Sequence, residues 1–382
     1  MHYILDLECD NLLDKVTKIH CIVIKDINTN EIFTDLNVCI EKIKNAKMLI
    51  GHNIIAFDIP VIEKILKFKP KAELFDTLVA CRLIYAHIKE IDFKLIHTDF
   101  PKNLIGSQSL KAWGYRLKMY KGEKPQSWET FTPEMLVYCQ QDVEVTHTLY
   151  NKILSKEYSE EALKLEHDVQ LLCTEMMANG IGFDTKAAQK LYSDLSAERE
   201  QLGLELQKYF PPWVEETTFI PKRDNKRMGY KAGVAFIKKK EIQFNPNSRD
   251  HIAFRLKHNR NWKPKEFTPD GRAKVDDEIL KELEWPEAKV LSRYFMVQKR
   301  IAQLAEGKNA WLKLEKNNRV YGSINTNGAV TGRATHSTPN LAQVPAVIIE
   351  YGPECRSLFC ARDGYVLVGA DMSQIELRIL GH

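Results

Sequence analysis

Four acids and one tyrosine carry the chemistry that can be read from this sequence. Asp6 and Glu8 stand two apart in a run rich in Ile, Leu and Tyr. Such a run predicts a strand, and residues two apart on a strand share a face. Asp58 closes the run from Asn53 to Phe57, and Tyr138 precedes Asp142 by four residues. On a continuous helix that spacing puts the last two on one face. Hydrolysing a phosphodiester at neutral pH needs a hydroxide and a counter-charge for the leaving oxygen. Two hard cations about 4 Å apart supply both, and three or four carboxylates must converge to hold them. A tyrosine hydroxyl beside them can orient the attacking water. Each piece alone is equally at home on a solvated surface. Their order along the chain is far more specific.

Strands are expected at 2–8, 19–25, 31–36 and 47–51, and helices at about 60–67, 76–88, 107–118, 132–138 and 142–154. Strands followed by helices indicate a mixed α/β domain over roughly 1–155. Long apolar patterns of helical period then cover 158–179 and 184–209, split by Asn179-Gly180-Ile181-Gly182, a helix stop. The stretch 211–248 reads as irregular, with eight basic residues and one acid, Asp224, between 221 and 240. Helices return at about 248–257 and 276–313. From 319 strands are expected, including 365–370, followed by a helix from near Ser373.

The chain has 382 residues, 44% hydrophobic and 28% charged, with 16 Phe, 14 Tyr and 6 Trp, which excludes a disordered chain. No run approaches the ~20 apolar residues of a membrane span. Met1 leads directly into a segment carrying Asp6 and Glu8, which does not fit a secretory leader. The cysteines, Cys9, Cys21, Cys39, Cys81, Cys139, Cys173, Cys355 and Cys360, form no CxxC pair and read as scattered thiols of a reducing compartment, so zinc is not expected. That points to the cytoplasm. Residues 1–160 carry 21 basic and 22 acidic side chains and residues 161–382 carry 34 and 29. The basic excess of the second part suits a polyanion, though chance accounts for it nearly as well.

The three acidic runs resemble the Exo I, Exo II and Exo III motifs of the DEDDy 3′–5′ exonucleases, which have a ribonuclease H-like fold. Phe75-Asp76-Thr77-Leu78 and the segment Gly106 to Tyr115 are similar to connecting segments in phage proofreading domains. The resemblance implies that Asp6, Glu8, Asp58 and Asp142 hold two Mg²⁺ or Mn²⁺ ions and that Tyr138 positions the water. Single-stranded or frayed 3′ ends of DNA would be the substrate.

The second part contains Thr331-Gly332-Arg333, then Asn340 to Gln343, then Asp371-Met372-Ser373-Gln374-Ile375-Glu376. These resemble the primer–template segments and motif A of DNA polymerase family A, in its phage replicative branch. By that resemblance Asp371 is a catalytic metal ligand, Glu376 crowds the sugar 2′ position, and Arg333, Asn340, Gln343, Lys299 and Arg300 contact DNA. The implied layout is α/β overall: an exonuclease domain at 1–155, a mostly helical thumb region at 156–318 with a basic loop at 211–243, and a partial palm at 319–382.

The elements that follow motif A in this family, a fingers helix and a second palm acid, are not in the 382 residues. The reading is therefore the N-terminal subunit of a split polymerase, unable to polymerise DNA alone and completed by a second polypeptide. The alternatives are a stand-alone 3′–5′ exonuclease with a DNA-gripping C-terminal region, a truncated form of a complete polymerase, and a non-catalytic DNA-binding subunit. Relatives carry a longer thumb insertion that binds thioredoxin. Residues 211–243 are short there, so no thioredoxin partner is expected. A solvated loop and a direct contact with the DNA backbone remain open for them.

Overall fold

The computed structural model describes residues 1–95, 98–120, 122 and 124–382. The chain divides into two compact units, residues 1–180 with 321–342, and residues 181–320 with 343–382.

The first unit is built on a five-stranded sheet in the order β3-β2-β1-β4-β5. Its strands are β1 (His2–Cys9), β2 (Ile19–Asp26), β3 (Ile32–Phe33), β4 (Met48–Gly51) and β5 (Glu73–Asp76). β2 runs antiparallel to β1 and β3, whereas β1, β4 and β5 are mutually parallel. The C-terminal ends of β1, β4 and β5 therefore lie at one end of the sheet, where α/β folds place their chemistry. β1 alternates. Tyr3, Leu5, Leu7 and Cys9 enter the core beneath α1 (Leu36–Asn45) and α2 (Asp58–Leu66), with Ile43, Ile59 and Ile62. Ile4 joins the opposite core with Cys21, Val23, Ile50 and residues of a long helix. Each fully buried Ile or Leu contributes about 1.5–3 kcal/mol, so a one-residue slip of β1 is strongly disfavoured.

α3 (Thr77–Ile84) follows β5 at once, then α4 (Ile88–Phe93), α5 (Leu110–Leu117), α6 (Pro133–Leu154) and α7 (Glu160–Asn179). α6 is one continuous helix across the two segments expected at 132–138 and 142–154, and Pro133 sits in its first turn. α6 packs with α3 and α5 through Val145, Leu149, Ala80 and Trp113. α7 falls within the first unit. His167 fastens it to β5: the Asp76 main-chain N–H donates to His167 Nε2 at 2.7 Å. Gly180, at φ 57°, ends α7 where the stop was expected.

The second unit starts with β6 (Ile181–Phe183) and α8 (Thr185–Tyr209). The hairpin β7 (Trp213–Phe219) and β8 (Phe236–Ile242) follows. Then come α9 (Arg249–Arg260), α10 (Asp277–Lys281), α11 (Pro286–Ile301), which runs on as a π turn to Glu306, and α12 (Trp311–Leu314). Phe210, Phe244, Ile252, Leu256, Leu280, Leu291 and Phe295 form its core. The expected helix over 276–313 is broken into pieces, because Pro286 starts a new helix and Gly307 ends the π turn. β9 (Arg319–Val320) pairs with β6, as does β12 (Phe359–Cys360), which follows α13 (Gly352–Ser357). β10 (Ser323–Asn325) and β11 (Thr335–Ser337) form a small hairpin in the first unit, and α14 (Ile375–Gly381) comes last.

Two further expectations differ from the structure. The stretch 211–248 is not irregular throughout but carries the β7–β8 hairpin, seven residue pairs in continuous register. Residues 365–370 form no strand. No described strand pairs with them, and Val366 and Val368 stand exposed. An extended apolar run becomes a strand only where a neighbour takes its backbone N–H and C=O groups.

Candidate functional site

Asp6 and Glu8 occupy the C-terminal half of β1, on the face that α6 covers. Opposite them on β2 are Val23 and Cys21. β1 departs from regular register just beyond, between Glu8 and Cys9. Both carboxylates are half-buried. Ligating atoms of Asp6, Glu8 and Cys139 lie within 4.8 Å of one another. Cys139 is buried on α6 between Tyr138 and Asp142, and its thiol donates to Asp6 Oδ2 at 3.3 Å.

Asp58 begins α2, past the end of β4. It is 4% exposed and borders β1 near Leu7, the residue between Asp6 and Glu8. Asp58 thus stands beside the same stretch of β1. Burial pushes its carboxyl up to about 7, and Asp76 nearby adds to the shift. Asp142 is buried on α6, one turn beyond Cys139 and Tyr138. Neither Asp58 nor Asp142 joins the close group of Asp6, Glu8 and Cys139 at that 4.8 Å spacing. The Tyr138 ring packs edge-on against Trp128, with centroids 6.1 Å apart. The Trp128 carbonyl is in turn 2.8 Å from His20 Nε2 on β2.

The donor set suits a hard divalent cation. Asp6 and Glu8 offer oxygens, and Asp58 is a buried carboxyl whose ionisation a neighbouring cation would compensate. A groove of about 1140 Å³ lies elsewhere in this unit, between Phe75, Tyr150 and His167, and none of the expected site residues lines it.

Two residues of this region carry no role in the sequence reading. One is Cys139, which by sequence is one more scattered thiol. The other is Asp76, wholly buried at the end of β5. Its carboxylate accepts from the main-chain N–H groups of Asn53 (2.9 Å), Ile55 (3.2 Å) and Leu78 (2.9 Å). It therefore braces the turn that delivers Asp58 and caps α3 as well. Burial pushes Asp76 up, and the three donors oppose that shift. The Phe75-Asp76-Thr77-Leu78 run was the signal, but it named a segment and not a task.

In the later part of the chain, Arg333 is exposed in the turn of the β10–β11 hairpin. That turn has no room at Gly328, where a Cβ would fall 1.9 Å from Thr335 Oγ1. The hairpin is held on α7: Thr326 donates to Gln170 (3.2 Å) and Asn327 to Glu166 (2.5 Å). Asn340 Oδ1 accepts from the N–H of Ala342 (3.1 Å). The exposed Gln343 lends its carbonyl to Gln303 Nε2 (2.8 Å). Lys299 is exposed, but Arg300 is 7% exposed and turns inward to Gln303 (3.3 Å), which does not suit the expected direct contact with DNA. Asp371 and Glu376 are both exposed. Asp371 lies in the unpaired stretch before α14 and joins no close group of ligating side chains among the described residues.

The sequence profile of DNA polymerase family A matches residues 226–382. The chain is 34% identical to the DNA-directed DNA polymerase of Enterobacteria phage T3, over 99% of this chain and 68% of that protein. It is 33% identical to the DNA-directed DNA polymerase of Escherichia phage T7, with the same coverage. It is 26% identical to DNA polymerase I of Borreliella burgdorferi, over 92% of this chain and 35% of the relative. The likeness to the phage enzymes spans nearly the whole chain, and the chain belongs to DNA polymerase family A.

Proposed function

We propose that the first unit is a metal-dependent 3′–5′ exonuclease that trims DNA ends for a family A polymerase, and that exposed residues of the later segments hold the DNA. The observation that carries this is the pairing of Asp6 and Glu8 at the carboxyl end of the central strand, with Asp58 beside the same strand and α6 bringing up Tyr138 and Asp142. The strand order β3-β2-β1-β4-β5, with helices on both faces, supports a ribonuclease H-like reading.

Asp6, Glu8 and Asp58 would hold Mg²⁺ or Mn²⁺, with Asp142 completing the set. Such ions, when bound, lower the pKa of a water and neutralise charge on the departing 3′ oxygen. Tyr138 orients the attacking water toward the last phosphodiester. Arg333, Asn340, Gln343 and Lys299 are the proposed DNA contacts, and Asp371 and Glu376 the proposed polymerase-site residues. The second polypeptide expected from the sequence gains no support from the relatives, and the proposed function does not include it.

The test is digestion of a 5′-labelled single strand with Mg²⁺. The double variant Asp6→Ala, Glu8→Ala should leave the strand at full length while the parent shortens it to mononucleotides. Equal digestion by both would overturn the site.

A further inference from the structure

We infer that Cys139 is a positioning residue of the proposed nuclease site, orienting the Asp6 carboxylate toward a divalent cation. The inference rests on the exonuclease reading and adds a group to it. Its basis is geometric. The Cys139 thiol donates to Asp6 Oδ2 at 3.3 Å, and the ligating atoms of Asp6, Glu8 and Cys139 lie within 4.8 Å of one another. The side chain is wholly buried, fixed among Ile4, Cys21, Val23 and Val143. Cys21, across from Glu8 in the β1–β2 register, packs in the same core. Cys139 therefore has one position and no freedom to swing away.

A carboxylate has two oxygens and about four lone-pair sites. The thiol occupies one of those on Oδ2. That contact limits the directions in which the Asp6 carboxylate can turn. A neutral S–H is a weak donor and a poor ligand for a hard cation, so the sulfur aims the carboxylate and does not bind the metal. Partners of this kind commonly govern metal affinity by about 10–100-fold. α6 would thus contribute three neighbouring side chains with separate tasks: Tyr138 for the water, Cys139 for Asp6, and Asp142 as a further acid.

The experiment measures Mn²⁺ binding to the full chain without DNA, from the electron paramagnetic resonance signal of free Mn²⁺. Cys139→Ala removes the donor, Cys139→Val removes it at nearly constant volume should Ala fail to fold, and Cys139→Ser keeps a short donor. The Ala or Val variant should bind Mn²⁺ about 10-fold or more weakly than the parent, and Ser should restore most of the loss. Parent-like binding by the donorless variants would overturn the inference. So would a sulfur-to-metal charge-transfer band when the parent is titrated with Cd²⁺ at Mn²⁺-competing concentrations, since the thiol would then be a ligand. Asp6→Asn separates the two levels. If it leaves Mn²⁺ binding intact, the metal reading fails as a whole. If it abolishes binding while Cys139→Val does not weaken it, only the role of Cys139 fails.

Discussion

Asp76 shows how a residue can govern a site it does not enter. Its carboxylate collects N–H groups from both sides of the β4–α2 turn and from the start of α3. Removing it leaves buried donors without an acceptor, at about 1–3 kcal/mol each. Asp76→Ala should therefore lower the thermal midpoint clearly. Asp76→Asn, which keeps one acceptor oxygen, should lower it less. Both should slow exonuclease digestion while the protein is still folded, because Asp58 starts the helix that this turn feeds. Full exonuclease rate in a folded Asp76→Ala protein would show that the turn holds itself. Asp6, Glu8, Asp58, Tyr138 and Asp142 can be proposed from the sequence because order and spacing survive in one dimension. Asp76 and Cys139 cannot. Their tasks depend on which backbone N–H or carboxylate lies opposite, and only the β-register and the α6 packing decide that.

At the scale of elements, legibility followed local signals. β1, β2 and β4 were readable from runs rich in Ile, Val, Leu and Tyr or other apolar residues, and the end of α7 from Asn179-Gly180. The β7–β8 hairpin was hidden because its strands bury almost nothing and so lack an apolar face to betray them. Residues 365–370 erred the other way, since an apolar run signals a strand only if a partner strand exists. The α9–α11 contact is a further case that spacing could not reveal. Arg260, the last residue of α9, meets Glu287 in the first turn of α11 through two hydrogen bonds, 2.6 and 3.0 Å long. Each charge also suits the dipole of its own helix end. Burial raises the Glu287 carboxyl, but the Arg260 hydrogen bond and charge outweigh it, and the net shift is downward. A carboxyl lowered on folding stabilises above its unfolded value near 4.5, and that contribution is lost as pH falls through the folded value. Arg260→Ala should destabilise the fold at pH 7, because it leaves the buried Glu287 carboxylate without its charged partner. In thermal melts, the gap between parent and variant should narrow as pH drops below about 4.5. A gap that does not change with pH would mean that Arg260 acts through packing alone.

For the molecule as a whole, the question is where its basic excess is free to meet DNA. Much of the charge on the β7–β8 strands is already answered. Lys239 pairs with Glu216 at 2.7 Å, and Lys240 stands across from Glu215 in the register. The tip differs. Lys222, Arg223, Lys226, Arg227 and Lys231 face one acid, Asp224, whose carboxylate is engaged by the Ala232 N–H at 2.7 Å. The tip is also held in shape. Tyr230 packs edge-on between Phe219 and Phe236, Lys238 lies 3.9 Å over the Phe219 ring, and Trp213 anchors the base of β7 on His251 and Phe254 of α9. A two-stranded hairpin alone is marginal in water, so these ring contacts are what keep the cations presented together. Each phosphate that such a cation neutralises steepens the fall of log affinity with log salt by about 0.9 on duplex DNA. Replacing the five tip cations by Ser should weaken duplex binding at low salt and flatten that slope by about 0.9 for each phosphate no longer neutralised. The thermal midpoint should barely move, because none of the five is buried. Fluorescence anisotropy of a labelled duplex across a salt series measures both the affinity and its slope. An unchanged slope would return the tip to the status of a solvated loop and leave DNA binding to Arg333 and its neighbours.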